Sequence, residues 1–134
     1  MCQVVGGNSA WASSGINAVD PALAGRGDSL EVYVEDMLKG GADPTLAKVL
    51  VENSHAAIEW LRQRGGVELQ HIGQLGGHSY ARTYRPGDGL TGSKLVFALK
   101  KVLTSFGKDK YKLQLSAKVN KLLKVDSKCV THNE

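Results

Sequence analysis

The chain has 134 residues, 42% of them hydrophobic and 22% charged, a composition typical of a single globular domain. The apolar runs are far shorter than the ~18 residues of a transmembrane helix, so we expect no membrane insertion. Two cysteines, Cys2 and Cys129, are too few for a disulfide framework, and we expect both as inert free thiols.

The formal net charge of +4 is distributed unevenly along the chain. Between Lys94 and Lys128 there are ten lysines and two aspartates, a balance of +8, whereas residues 1–93 carry −3. A basic half can bind nucleic acid or anionic lipid. No aromatic platform or arginine cluster accompanies these lysines, so we expect a solvated face and no nucleic-acid partner. A basic binding module is kept as the alternative.

Residues 1–27 predict a loop-dominated segment, since small residues and glycines dominate and no period is visible. A helix is predicted to follow, capped by Asp28 or Ser29, whose side-chain oxygens can accept from first-turn amides. Gly40-Gly41 ends it by supplying positive φ. The predicted buried stripe of this helix is Leu30, Tyr33, Val34, Met37 and Leu38.

A second helix is predicted from Pro44 to about Arg64, which completes a helical segment over 28–64. Asp43 caps it, and Pro44 takes the first helical position, where a missing N–H has no cost. Gly65-Gly66 ends it. The predicted buried stripe is Leu46, Val49, Leu50, Ala57, Trp60 and Leu61.

Residues 65–92 predict a glycine-rich loop, and irregular segments of this length usually serve a site. Residues 93–134 predict a helix ending at Gly107 and then strands. Apolar and polar residues alternate over 111–119, which is the period of a strand. The phase breaks at Leu122-Leu123, which predicts a kink, and Asp126-Ser127-Lys128 predicts a hairpin turn.

The predicted helices and strands are not sufficient to form an independent domain. Three amphipathic helices need a sheet to cover, yet only one strand pair is visible, and an isolated hairpin is marginal in water. We therefore expect the chain to be the middle part of a larger protein.

Two glycine-rich segments and the helix between them resemble the soluble fumarate reductase flavoproteins. Segment 5–18 reads VGGNSAWASSGINA, like the family's GGN segment and the turn after it. Segment 75–86 reads LGGHSYARTYRP, like its GG-x-S-x-x-R-x-x-R-P segment, and the helix over 43–61 is similarly placed. The resemblance spans nearly the whole chain. It implies an α/β fold class, a partial FAD-binding Rossmann-type domain with surface helices.

The resemblance implies contacts with FAD in two places. Val119 would offer backbone groups to the adenine, and the other implied contacts are Gly7, Asn8, Ser9, Ser14 and Gly15. Glycines let the backbone approach a pyrophosphate, and small residues let it pass close to the flavin ring. No side chain here matches the histidine that holds covalent flavin in membrane-bound relatives, so we expect non-covalent FAD. On its glycines alone, the GGNS tract would be a plain surface loop.

The resemblance also implies which parts of the intact enzyme are missing from this sequence. The family's G-x-G-x-x-G fingerprint lies upstream of the segment that begins at Gly6, so we expect no N-terminal βαβ unit here. The groups that grip and protonate the dicarboxylate belong to other segments, so we expect no catalytic residue in this chain. The intact enzyme would reduce fumarate to succinate by hydride transfer from the flavin, and this chain alone would be inactive. A non-catalytic truncated product, or a relative such as L-aspartate oxidase or ketosteroid dehydrogenase, is the alternative.

Three residues are candidates for binding the substrate. His78, beside Gly76-Gly77, either faces the flavin or substrate or is a loop histidine without such a role. Arg82 and Arg85 either bind an anionic ligand or, for Arg85 before Pro86, brace the loop. The four histidines and two cysteines show no ligand spacing, so we expect no metal site.

The sequence says least about the cellular context. The first residues show no basic stretch followed by an apolar run, so we expect no signal peptide. We expect a soluble intracellular protein, in the cytoplasm or in an organellar matrix such as that of the mitochondrion. The oligomeric state is left open.

Overall fold

The computed structural model describes residues 5–21 and 27–121, and the backbone of two strands at 124–125 and 128–129. Our predictions for Cys2, the Leu122-Leu123 kink and the side chain of Cys129 lie outside the described residues. The described helices are α1 (Gly7–Trp11), α2 (Leu30–Lys39), α3 (Pro44–Gly65) and α4 (Thr91–Ser105). The described strands are β1 (Ile16–Asn17), β2 (His71–Gly73), β3 (Thr83–Arg85), β4 (Lys124–Val125) and β5 (Lys128–Cys129). None of the described helices has the length and apolar character needed to cross a bilayer.

A small antiparallel sheet joins the two glycine-rich segments of the chain. Its strand order is β1-β3-β2, so β3 is hydrogen-bonded on both sides. Ile16 pairs with Tyr84 and Asn17 with Thr83, while His71 pairs with Arg85. The sheet therefore brings the segment before residue 18 against the segment after residue 82.

The predicted starts and ends of α2 and α3 are confirmed. Ser29 Oγ accepts from the Val32 amide at 3.2 Å, and Asp43 Oδ1 accepts from the Leu46 amide at 3.0 Å. Pro44 opens α3, and Gly66 ends it in the left-handed region with φ 61°. Each of these signals acts within about four residues, which is why the sequence alone sufficed.

The predicted buried stripe of α3 is wrong in all but one position. Leu46 is 70% exposed, and Val49, Leu50, Ala57 and Trp60 are also exposed. Leu61 alone of the predicted set is half-buried, packed against the core. The face that is buried carries Ala47, Val51, Ser54 and Ile58. This face has smaller side chains, which let α3 pack closely on both α2 and the sheet.

Two apolar clusters hold the fold together. One lies between α3, α4 and the sheet and contains Ala18, Ile58, Val67, Leu69 and Tyr84. The other lies between α2 and α3 and contains Val19, Tyr33 and Val51. In α2, only Tyr33 of the predicted stripe is fully buried, with Val34 and Met37 half-buried and Leu30 and Leu38 exposed.

The two segments predicted as loops contain regular structure. Residues 1–27 hold α1 and β1, and residues 65–92 hold β2 and β3. The local sequence does not predict β1, β2 or β3, because each strand has only two or three residues and forms its hydrogen bonds with distant parts of the chain.

The predicted strand over 111–119 is wrong. No strand occurs between α4 and residue 121, and residues 112–121 are exposed. A strand needs a neighbour for its amides and carbonyls, and the described residues place none beside this segment. The predicted hairpin is confirmed in its backbone, since Lys124 pairs with Cys129 and Val125 with Lys128. Lys128, predicted in the turn, begins β5.

Tyr84 makes the stability of this fold sensitive to high pH. Its hydroxyl donates to Asp20 Oδ2 at 3.3 Å, and burial together with that carboxylate raises the pKa of Tyr84 to about 12. The unfolded phenol ionises near pH 10, so this stabilisation is complete below about pH 10 and is lost as the pH rises through about 12. We expect the free energy of unfolding, measured in urea, to fall more steeply above pH ~10 in the parent protein than in Tyr84→Phe. Equal slopes would contradict this.

Candidate functional site

The GGNS tract forms a short exposed helix rather than a loop. Gly6 has φ 143°, and the chain turns from it into α1. Gly7, Asn8 and Ser9 are exposed on α1. Nothing lies within 4 Å of the position that a Cβ of Gly7 would take. The backbone at Gly7 and the polar side chains of Asn8 and Ser9 are therefore open to a ligand.

The N-terminus of α4 holds this tract in place. The Gly92 amide donates to the Ala12 carbonyl at 2.8 Å. A Cβ on Gly92 would lie 1.7 Å from the Ser9 carbonyl oxygen, so only glycine permits this approach. Thr91 is 3% exposed, and its hydroxyl lies 3.4 Å from the carbonyl oxygens of both Ser13 and Ser14. Sequence analysis missed both residues, since Thr91-Gly92 is locally an ordinary helix start.

The turn at Ser14 and Gly15 lies against β3. Gly15 has φ 157°, and a Cβ there would meet the Tyr84 carbonyl oxygen at 2.5 Å and Thr83 Cγ2 at 2.7 Å. Ser14 is exposed. This turn therefore combines an exposed hydroxyl with backbone geometry that only glycine satisfies.

A shallow depression of about 360 Å³ opens beside this turn. It is mostly polar, and its lining includes Ser13, His71, Arg85, Asp88 and Thr91. Arg85 is exposed, and its guanidinium lies over Gly73 of the neighbouring strand. Among the three substrate candidates, only Arg85 lines this depression, together with Ser13.

Arg82 lies at the centre of a buried ion-pair network. It is 1% exposed, and its guanidinium donates two hydrogen bonds to the Asp28 carboxylate. Arg82 Nη1 also donates to Asp36 Oδ2 at 2.8 Å. Asp36 in turn accepts from the Ser79 amide at 2.7 Å and from the Ser79 hydroxyl at 2.6 Å. The network ties α2 and its N-terminal flank to the loop between β2 and β3.

The charges in this network stabilise each other. Burial alone would raise the pKa of Asp36, but the hydrogen bonds from Ser79 and the Arg82 guanidinium hold that pKa well below its usual range. Burial opposes the charge on Arg82 too, yet Asp28 and Asp36 raise the pKa of Arg82 above its ordinary value. With its guanidinium turned inward to two carboxylates, Arg82 braces the fold in this structure.

His78 lies at the edge of the same network. Its Nδ1 is 3.3 Å from Arg82 Nη1, and its Nε2 is 3.2 Å from the Asn17 side-chain amide. Its ring centroid is 5.6 Å from that of Tyr33. The ring is thus held by protein groups at both nitrogen atoms.

Val119 is 77% exposed in the irregular segment that follows α4. The other implied flavin contacts lie in two neighbouring places: Gly7, Asn8 and Ser9 on α1, which contacts α4, and Ser14 and Gly15 in the turn against β3. Arg82 lies in the buried network, and the half-buried His78 lies at its edge. In the described part of the chain, no three metal-ligating side chains converge.

Comparisons with known proteins place these observations in a family. The FAD binding domain family matches residues 2–133. NADH:fumarate oxidoreductase of Klebsiella pneumoniae is 40% identical over 112 residues, which is 78% of this chain and 12% of that protein. Fumarate reductase 1 of Saccharomyces cerevisiae is 36% identical over 138 aligned positions, which is 97% of this chain and 28% of that protein.

A solved structure agrees with the sequence matches. The open conformation of a flavocytochrome c3 fumarate reductase matches with a TM-score of 0.68 and 32% identity, over 75% of this chain and 19% of that chain. The present chain thus spans only 12% to 28% of the length of these three proteins.

Proposed function

Since the chain belongs to the FAD binding domain family, we propose that it forms part of the flavin cradle of an enzyme that reduces fumarate to succinate. The matches confirm the resemblance to fumarate reductases and the reading of the chain as a partial α/β domain. FAD, when bound, supplies the electron chemistry of the reaction.

The geometry of the GGNS tract is the observation that carries this proposal. The open space beside Gly7 and the exposed side chains of Asn8 and Ser9 leave backbone and polar atoms free to meet a cofactor. Gly15 and Gly92 let the chain pack behind them without occupying that face. The close backbone contacts at Gly15 and Gly92 distinguish this segment from a surface loop with no constraint on its glycines, and its exposed face would be available to a pyrophosphate or a planar ring.

The mode of attachment and the remaining contacts are part of the proposal. We propose that FAD is held without a covalent bond, since segment 5–18 contains no histidine. Val119 would supply backbone groups to the adenine, and Arg85 would supply positive charge from the depression beside Ser13. The expected cytoplasmic or organellar-matrix location stays a prediction.

A titration with FAD tests the cradle. In the longest polypeptide that the gene encodes, we expect Asn8→Ala and Ser9→Ala each to weaken FAD binding up to about tenfold, since one hydrogen bond contributes about 0.5–1.5 kcal/mol. Flavin fluorescence on titration gives the Kd. Asn53→Ala and Ser105→Ala are matched controls, because both side chains only bond to carbonyls of their own helix. Equal affinity in all four variants would contradict the assignment.

Turnover assays test the substrate. The purified protein is mixed with a reduced dye, and oxidation of the dye is followed with fumarate or urocanate as the added electron acceptor. A parallel assay follows reduction of an oxidised dye by L-aspartate, which gives up electrons and does not accept them. The relatives of this chain include a urocanate reductase and an L-aspartate oxidase, so the three compounds separate the possibilities within the family. Fumarate-dependent oxidation supports the proposal, and preference for another substrate would replace the fumarate assignment while keeping the flavin.

A further inference from the structure

The hydrogen bonds around His78 determine where its proton lies. Arg82 can only donate, so His78 Nδ1, at 3.3 Å from Arg82 Nη1, must accept and carry no hydrogen. A hydrogen on Nδ1 would point at the guanidinium N–H groups, so this contact disfavours that tautomer. The hydrogen of the neutral ring is therefore on Nε2.

This tautomer also orients the amide of Asn17. The structure sets Asn17 Nδ2 3.2 Å from His78 Nε2, which would oppose two donors. A half-turn about Cβ–Cγ exchanges the amide oxygen and nitrogen with almost no change of shape. His78 Nε2–H then donates to Asn17 Oδ1. The structure gives a 2.7 Å hydrogen bond from the Thr83 hydroxyl to Asn17 Oδ1. After the half-turn, Asn17 Nδ2 takes that position and donates to Thr83 Oγ1 instead.

We propose that His78 is a positioning residue for the flavin cradle. Held by Arg82 as the Nε2–H tautomer, it fixes Asn17 and, through Asn17, the pairing of β1 with β3. Asn17 is the partner of Thr83 in that pairing, and Gly15, two residues earlier, contacts Thr83 and Tyr84. The chain of contacts therefore leads from His78 to the Ser14–Gly15 turn. The proposal rests on the proposed FAD site at that turn.

The surroundings of His78 support a positioning role over contact with a substrate. Both ring nitrogens are engaged, and the Tyr33 ring packs against the imidazole. Arg82 is itself immobilised by Asp28 and Asp36, so the donor that sets the tautomer is rigid. No ring nitrogen is left to bind an anion.

Two readouts test the proposal. In flavin-free protein, ¹⁵N NMR of the imidazole distinguishes a bare Nδ1 from a protonated one, and the His78 signals are those that disappear in His78→Gln. We expect the Nε2–H tautomer. FAD titration then compares His78→Leu with His78→Gln, whose amide oxygen can accept from Arg82 while its amide nitrogen donates to Asn17. We expect about tenfold weaker binding for leucine and near-parental binding for glutamine.

The outcomes separate this proposal from the proposed function. An Nδ1–H tautomer, or signals averaged over both tautomers, would overturn the hydrogen-bond arrangement whether or not FAD binds. If the parent protein shows the expected tautomer but His78→Leu binds FAD as tightly as the parent, the positioning role is overturned and the flavin site is left intact. If the parent protein binds no FAD, the proposed function fails and the positioning role fails with it.

Discussion

Arg82→Leu is expected to lower the free energy of unfolding by about 3–5 kcal/mol, measured by urea denaturation. The side chain is 1% exposed and compensates Asp28 and Asp36, which are both 7% exposed. Without the guanidinium, two carboxylates stay buried with no counter-charge. The free-energy cost of burying them unpaired exceeds the net stabilisation that the ion pairs contribute in the parent protein. The variant therefore destabilises the contact between α2 and the loop before β3.

Two comparisons separate this effect from a general loss of an arginine. Arg64→Leu, on the exposed face of α3, is expected to change the free energy of unfolding by about 0.5 kcal/mol or less. Adding Asp28→Asn to Arg82→Leu is expected to recover part of the loss, because one buried negative charge is then gone. If Arg82→Leu were as stable as Arg64→Leu, the buried network would be wrong.

Gly92→Ala is expected to lower the free energy of unfolding by about 1–3 kcal/mol and to weaken FAD binding at the same time. The added Cβ would lie 1.7 Å from the Ser9 carbonyl oxygen and 2.9 Å from its carbonyl carbon. Both atoms belong to the backbone of α1, so the whole helix must move away from α4. Asn8 and Ser9 move with it.

Gly76→Ala is the matched control for this substitution. Gly76 lies in the second glycine-rich segment, and no atom is within 4 Å of the position of its added Cβ. We expect near-parental stability and FAD affinity from this variant in the same denaturation and titration experiments. Parental behaviour of Gly92→Ala itself would show that α1 does not pack on α4 as described.

The accuracy of the sequence-based predictions follows the range of the interaction involved. The caps at Ser29 and Asp43 were predictable because the donor and acceptor lie three residues apart. The buried face of α3 was not, because helical periodicity selects a stripe of large apolar residues while packing selected the smaller face around Val51. The alternation over 111–119 likewise predicts a strand, but no partner strand lies beside it in the described residues.

The candidate site shows the same division. Sequence motifs alone located the GGNS tract, the Ser14–Gly15 turn and the family, because these depend on residue types in a fixed local order. Only the folded chain revealed that Gly92 supports Ser9 from 83 positions away and that Asp28 and Asp36 neutralise Arg82. Contacts of this kind depend on how distant segments meet in three dimensions, and no local pattern of side chains records that geometry.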